Sequence, residues 1–174
     1  MQAKLRAMSG GAGGADEEGT SANTSGGGGD RGVKGEPYQP NGVNDAEAAA
    51  VSKRAGDEAF IKGNHAAAVT AYDASLLADD TNAKVWANRA AAKHKLTQYR
   101  AAVDDAKTAR EVDSTYVKAW YREGCALTEM GDYESAALAF FEGMQIDGDS
   151  KDLKAGFDAA IARGRAAHLD GAKK

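Results

Sequence analysis

The sequence predicts an all-α fold, an α-solenoid of paired helices closed by a capping helix. Three observations carry this. Both prolines, Pro37 and Pro40, fall in the first 45 residues; beyond them the chain is rich in alanine, leucine, lysine and glutamate, all good helix formers. Polar breaks recur at Gly63-Asn64, Asp79 to Asn82, Thr97-Gln98, Asp113 to Thr115, Gly131-Asp132 and Asp147 to Ser150, and the segments between them show helical rather than alternating periodicity. Residue types also recur at a step of 34 positions.

Residues 1–45 stand apart. They hold 12 of the 21 glycines, including the run Gly26 to Gly29, and few large apolar side chains. Such a segment buries too little surface to offset its ordering entropy, so a disordered tail is expected. No Gly-Lys-Ser/Thr follows the glycines, which argues against a phosphate loop. The folded domain is expected over 46–168, with Asn44 and Glu47 spaced as a capping box at its start. About seven helices joined by short turns follow, and residues 169–174 are expected to be a flexible end.

The 34-residue step links Trp86 with Trp120, and Tyr99 with Tyr133. It also links Ala68, Ala102 and Ala136, then Gly56, Ala90 and Gly124, then Tyr72, Ala106 and Phe140, then Ser75, Ala109 and Gly143. A period of this length built from helix pairs marks a stacked array, in which each pair exposes an apolar face that its neighbours must cover. The small residues are expected to let paired backbones approach. Tyr72, Trp86, Trp120 and Phe140 are expected to fill the space between neighbouring pairs as core. This pattern resembles the tetratricopeptide repeat, with repeats at 49–82, 83–116 and 117–150. The resemblance implies a right-handed solenoid. Residues 151–168 resemble the family's capping helix, with Leu153, Phe157 and Ile161 at helical spacing.

The net charge of −4 argues against a general nucleic-acid binder, which works by neutralising phosphates. No apolar run approaches the ~20 residues of a membrane helix. One cysteine, Cys125, allows neither an intrachain disulfide nor a cysteine-based zinc site. It is expected to be a small packed residue. His65, His94 and His168 lack ligand spacing, so neither a metal nor another cofactor is expected. The carboxylates read as scattered over loops and solvent faces, with Asp147, Asp149 and Asp152 capping the last helix. With no catalytic constellation, the chain reads as a cytoplasmic binding protein rather than an enzyme.

Residues four apart share a helix face, so Lys118 and Arg122 point the same way from the first helix of repeat three. Asn88 holds in repeat two the position of Arg122, and Lys53 comes from the first helix of repeat one. The set resembles the two-carboxylate clamp of chaperone-binding tetratricopeptide domains of the Hsp-organising type. There lysine, asparagine, asparagine, lysine and arginine grip the C-terminal aspartate of a Glu-Glu-Val-Asp tail. The match falls on Lys53, Asp57, Asn88, Lys118 and Arg122, within Asn88-Arg89-Ala90-Ala91 and Lys118-Ala119-Trp120-Tyr121-Arg122. The resemblance implies a co-chaperone or adaptor for heat-shock protein 70 or heat-shock protein 90, with His94 and Lys95 as groove neighbours. A scaffold for an unrelated internal peptide or helix is the alternative. One position departs: Asp57 stands where the family has asparagine. It lowers the cationic count of Lys53, Lys118 and Arg122 by one. An ionised carboxylate cannot donate a hydrogen bond, and one such lost contact costs on the order of 1–3 kcal/mol. Lys53 lies one turn before it, placed to pair with it.

Overall fold

The computed structural model describes residues 45–171, which form seven α-helices. They are α1 (Ala46–Ile61), α2 (His65–Ala78), α3 (Ala83–Lys95), α4 (Tyr99–Val112), α5 (Val117–Met130), α6 (Tyr133–Ile146) and α7 (Lys151–Gly171). The glycine-rich segment, apart from Asp45, lies outside the described residues, as do 172–174. The last helix reaches Gly171 rather than ending at 168. Nothing in its final turns breaks a helix, since residues 163–170 contain no proline and several good helix formers.

Local chemistry sets the helix limits. Asp45, not Asn44, caps α1: its carboxylate accepts the amide of Ala48 at 3.0 Å. Asn64, Asn82 and Asp132 cap α2, α3 and α6 in the same way. At α7 the capping side chain is Ser150, whose hydroxyl accepts from Leu153 at 3.5 Å, while Asp147 stays in the preceding turn and accepts the amide of Asp149. Asp79 and Asp113 occupy the equivalent turns and accept from Thr81 and Thr115. The chain leaves α1, α3 and α5 through a left-handed residue: Gly63 at φ 78°, Thr97 at φ 60° and Gly131 at φ 81°.

Short turns fold each helix back onto the one before it. The odd-numbered helices also touch one another, α1 on α3, α3 on α5 and α5 on α7, whereas α2, α4 and α6 do not. A stack with one row in contact and the other spread apart must curve. The odd row therefore forms the inner, concave face.

The core is built largely of alanines, with Tyr72 and Phe140 as its largest fully buried side chains. These rings pack both within a helix pair and toward the next one: Tyr72 shares its cluster with Val85 and Ala92 of α3, and Phe140 with Leu153 and Ala160 of α7. A β-carbon on Gly56 would lie 2.6 Å from the Tyr72 ring, and one on Gly124 would lie 2.7 Å from the Phe140 ring. The missing side chain thus makes room for an aromatic ring, not for a closer backbone. In the middle repeat, where Ala90 faces the same role, position 106 is alanine, and both are buried. Trp86 and Trp120 are half-buried, and Trp86 flanks the core. Each indole N–H donates to a turn carbonyl, of Asp80 and Ser114, because a partly buried N–H needs an acceptor. Arg89 stacks over Trp86 and Arg110 over Trp120, at 4.6 and 4.4 Å from the ring centroids. In the cap, Leu153 is buried, and Phe157 and Ile161 pack partly buried against the same core.

Two carboxylates expected at the solvent face are interior. Asp105 and Glu123 are only 4% and 5% exposed. Arg89 donates twice to Asp105, at 2.8 and 2.7 Å, and Lys93 reaches the same carboxylate at 2.8 Å. Arg110 lies 3.1 Å from Glu123. So α4 turns one charge of each sign inward, an anion toward α3 and a cation toward α5. Burial raises the pKa of Glu123, against the opposing pull of Arg110.

Candidate functional site

The concave row carries the residues singled out in the sequence. Lys53 and Asp57 lie one turn apart on α1, so their side chains meet, Nζ to Oδ2 at 2.6 Å. Asn88, from α3, donates its amide to Asp57 Oδ1 at 3.0 Å. Tyr72 crosses from α2 beneath α1 and donates its hydroxyl to the same oxygen at 2.8 Å. Beyond its place in the core, Tyr72 thus has a second role, which follows from a buried ring whose hydroxyl must find an acceptor.

Of these groups all but Lys53 line a hollow of about 330 Å³, walled by Asp57, Phe60, Ile61, Tyr72, Asn88, Ala91 and Arg122. Arg122 projects into it from α5, where it occupies the position of Asn88 one period later. Its guanidinium sits 5.7 Å from the centroid of the Tyr121 ring. Among the described residues, neither Arg122 nor Lys118 has a carboxylate within ion-pair distance. Lys118, one turn before Arg122, is exposed and is not part of the hollow's wall.

Burial alone would raise the pKa of Asp57. The donors from Lys53, Tyr72 and Asn88 outweigh it, and the pKa lies below the ordinary aspartate value. Tyr72 responds in the opposite sense: burial, then the neighbouring Asp57 charge, raises its pKa. The site is therefore an ionised carboxylate held by three donors, with an unpaired guanidinium across the hollow.

The two predicted groove neighbours do not wall this hollow, though His94 belongs to the same row of odd-numbered helices. His94 lines a second hollow of about 190 Å³ with Cys125, Thr128, Glu129, Phe140, Gly156, Ala159 and Arg163. Six residues beyond Asn88, it sits about 9 Å further along α3. Burial lowers its pKa, and the charges of Lys95 and Arg122 act in the same direction. Lys95 itself is exposed. Cys125 is half-buried against the core, and burial raises its thiol pKa. Among the described residues no group of three or more His, Cys, Asp or Glu is placed to hold a metal ion, and no helix is long and apolar enough to cross a membrane.

Comparison with known proteins agrees with this architecture. The sequence model of the tetratricopeptide repeat matches residues 117–149, which span α5 and α6. The small glutamine-rich tetratricopeptide repeat-containing protein 2 of Mycosarcoma maydis is 33% identical over 108 residues, 62% of this chain. The match spans only 31% of that longer relative. The crystal structure of the Sgt2 tetratricopeptide domain from Aspergillus fumigatus superposes with a TM-score of 0.68 at 28% identity, covering 76% of this chain and 88% of that one. The second tetratricopeptide domain of human RPAP3, solved in complex with the heat-shock protein 70 peptide SGPTIEEVD, gives a TM-score of 0.64 at 29% identity, covering 66% and 96%. The chain thus carries a tetratricopeptide repeat domain similar in sequence and fold to that of Sgt2.

Proposed function

We propose that the concave row of α1, α3 and α5 captures the acidic carboxyl terminus of a partner chain, and that the protein is a cytoplasmic co-chaperone or adaptor for heat-shock protein 70 or 90. One observation carries this: Arg122, with no acidic partner among the described residues, faces the same hollow as Asn88 and Asp57. A guanidinium offers two parallel N–H donors to a carboxylate, and it holds that charge best where water is partly excluded. Lys118, exposed one turn earlier, adds a second cation to the approach. The similarity to the RPAP3 domain, whose bound peptide ends in Glu-Glu-Val-Asp, supports the choice of ligand. No step of chemistry is required of the chain in this role; it binds and presents.

The test is titration of the whole chain with a peptide ending in Glu-Glu-Val-Asp with a free carboxyl terminus. The control is the same peptide ending in Glu-Glu-Val-Asn-amide, which lacks both terminal carboxylates. The first binds at least tenfold more tightly, and Arg122→Ala brings it down to the level of the second. Equal affinity of the two peptides for the wild-type chain would overturn the proposal and leave the groove to an internal peptide.

A further inference from the structure

We propose that Asp57 is a resident carboxylate that makes the concave hollow a receptor for one ligand carboxylate rather than two. This rests on the reading that an acidic chain end binds at Arg122, and it specifies which chain ends the site distinguishes.

Three polar groups gather on Asp57 at the α1 side of the hollow: the hydroxyl of Tyr72 and the amide of Asn88, which line it, and the ammonium of Lys53, which does not. All three donate to Asp57, at 2.6, 2.8 and 3.0 Å. Oδ2 takes Lys53, and Oδ1 takes both Tyr72 and Asn88. The positive charge of Lys53 is cancelled at contact distance. This side therefore presents a neutral pair, with one donor of each group already given to Asp57. The α5 side differs, because Arg122 lines the hollow with no carboxylate in ion-pair range among the described residues.

A ligand carboxylate arriving at Arg122 finds a guanidinium with no carboxylate partner among the described residues. A second one, on the same terminal residue, is directed toward Asp57. There it meets a like charge, the single hydroxyl proton of Tyr72 is already given to Asp57, and the N–H groups left on Lys53 and Asn88 belong to side chains already drawn toward that carboxylate. Its attraction to Lys53 is offset by its repulsion from Asp57. The second carboxylate thus gains little, and a terminal aspartate is bound no better than a terminal asparagine with a free chain end. The position is particular to the first repeat: one and two periods later the same helix position holds Ala91 and Cys125. Replacing Asp57 by asparagine keeps its shape, removes the like charge, frees Lys53 and turns one acceptor into a donor.

The experiment uses the whole chain, wild type and Asp57→Asn, with four peptides. They are Glu-Glu-Val-Asp, Glu-Glu-Val-Asp-amide, Glu-Glu-Val-Asn and Glu-Glu-Val-Asn-amide. For the wild type, neutralising either terminal carboxylate alone costs less than fivefold in affinity, and neutralising both abolishes binding. For Asp57→Asn, neutralising either alone costs fivefold or more, and the parent peptide binds more tightly than to the wild type. A wild-type loss of fivefold or more for each single neutralisation would overturn the proposal while leaving capture of a carboxyl terminus intact. So would an Asp57→Asn chain that discriminates no better than the wild type. If the doubly neutralised peptide binds the wild type as well as the parent does, both readings fall.

Discussion

Gly124 on α5 lies so close against the ring of Phe140 on α6 that a β-carbon there would come within 2.7 Å of two ring carbons. The ring is 2% exposed, and Gly156 of α7 closes on it from the cap, where an added β-carbon would lie 2.5 Å away. Phe140 is thus clasped between two glycines and has nowhere to retreat. In an open helix, replacing glycine by alanine gains about 1 kcal/mol. Here that gain competes with overpacking, which costs roughly 1–3 kcal/mol in a filled core. Gly124→Ala is therefore expected to destabilise the domain by about 1–2 kcal/mol, read as a lower urea midpoint. Adding Phe140→Leu, which withdraws the ring, is expected to make the alanine neutral or favourable relative to Phe140→Leu alone. A raised midpoint for Gly124→Ala by itself would contradict the clasp.

This pairing shows where the sequence stops being informative. The recurrence of Gly56, Ala90 and Gly124, and of Tyr72, Ala106 and Phe140, is legible because every repeat solves the same packing problem one period later. Which small residue meets which large one is not legible. Periodicity assigns a residue to a helix face, and says nothing about the partner across the gap. The same limit applies at the hollow. Lys53 and Asp57 are one turn apart on a single helix, so their contact follows from spacing alone. The contacts of Asp57 with Tyr72 and Asn88 join three different helices and leave no local trace. His94 is legible as a residue of the same row as Asn88, but that it meets α5 and α7 in a separate hollow is not, because those contacts again join different helices.

Thr97 is a second case, readable once the period is applied to the turns. It occupies the position of Gly63 and Gly131, and all three have positive φ, with Thr97 at φ 60°. Glycine takes this conformation at no steric cost; for an L residue it costs roughly 1–2 kcal/mol, and a β-branched side chain is least suited to it. The Thr97 hydroxyl reaches only the carbonyl of Leu96, so no longer-range bond offsets the strain. Thr97→Gly also loosens the unfolded chain, which takes back about 0.5–1 kcal/mol. The net expectation is a gain of about 0.5–1 kcal/mol, seen as a higher thermal midpoint with peptide affinity unchanged. A lower midpoint would mean that the threonine contributes more than its backbone costs.

The charge cluster on α4 was not foreseen, because an arginine and an aspartate on consecutive helices read as solvated faces until the helices are packed. Arg89 is held on both sides, twice by Asp105 of α4 and once by Asp73 of α2, the latter at 2.6 Å. It ties the first repeat to the second from within. Breaking a buried pair by removing one partner typically costs about 3–5 kcal/mol, because a desolvated charge is left behind. Lys93 remains within 2.8 Å of Asp105 and softens that loss. Arg89→Leu is therefore expected to cost about 2–4 kcal/mol, part of it from the lost stacking on Trp86. Asp105→Leu strands Arg89 beside the more exposed Asp73 and is expected to cost a similar amount. The double variant removes both charges and fills the space with apolar atoms, so its loss is expected to fall well short of the sum of the two. Urea titration of the three variants decides the matter: strictly additive losses would show that Arg89 and Asp105 stabilise the stack independently rather than through each other.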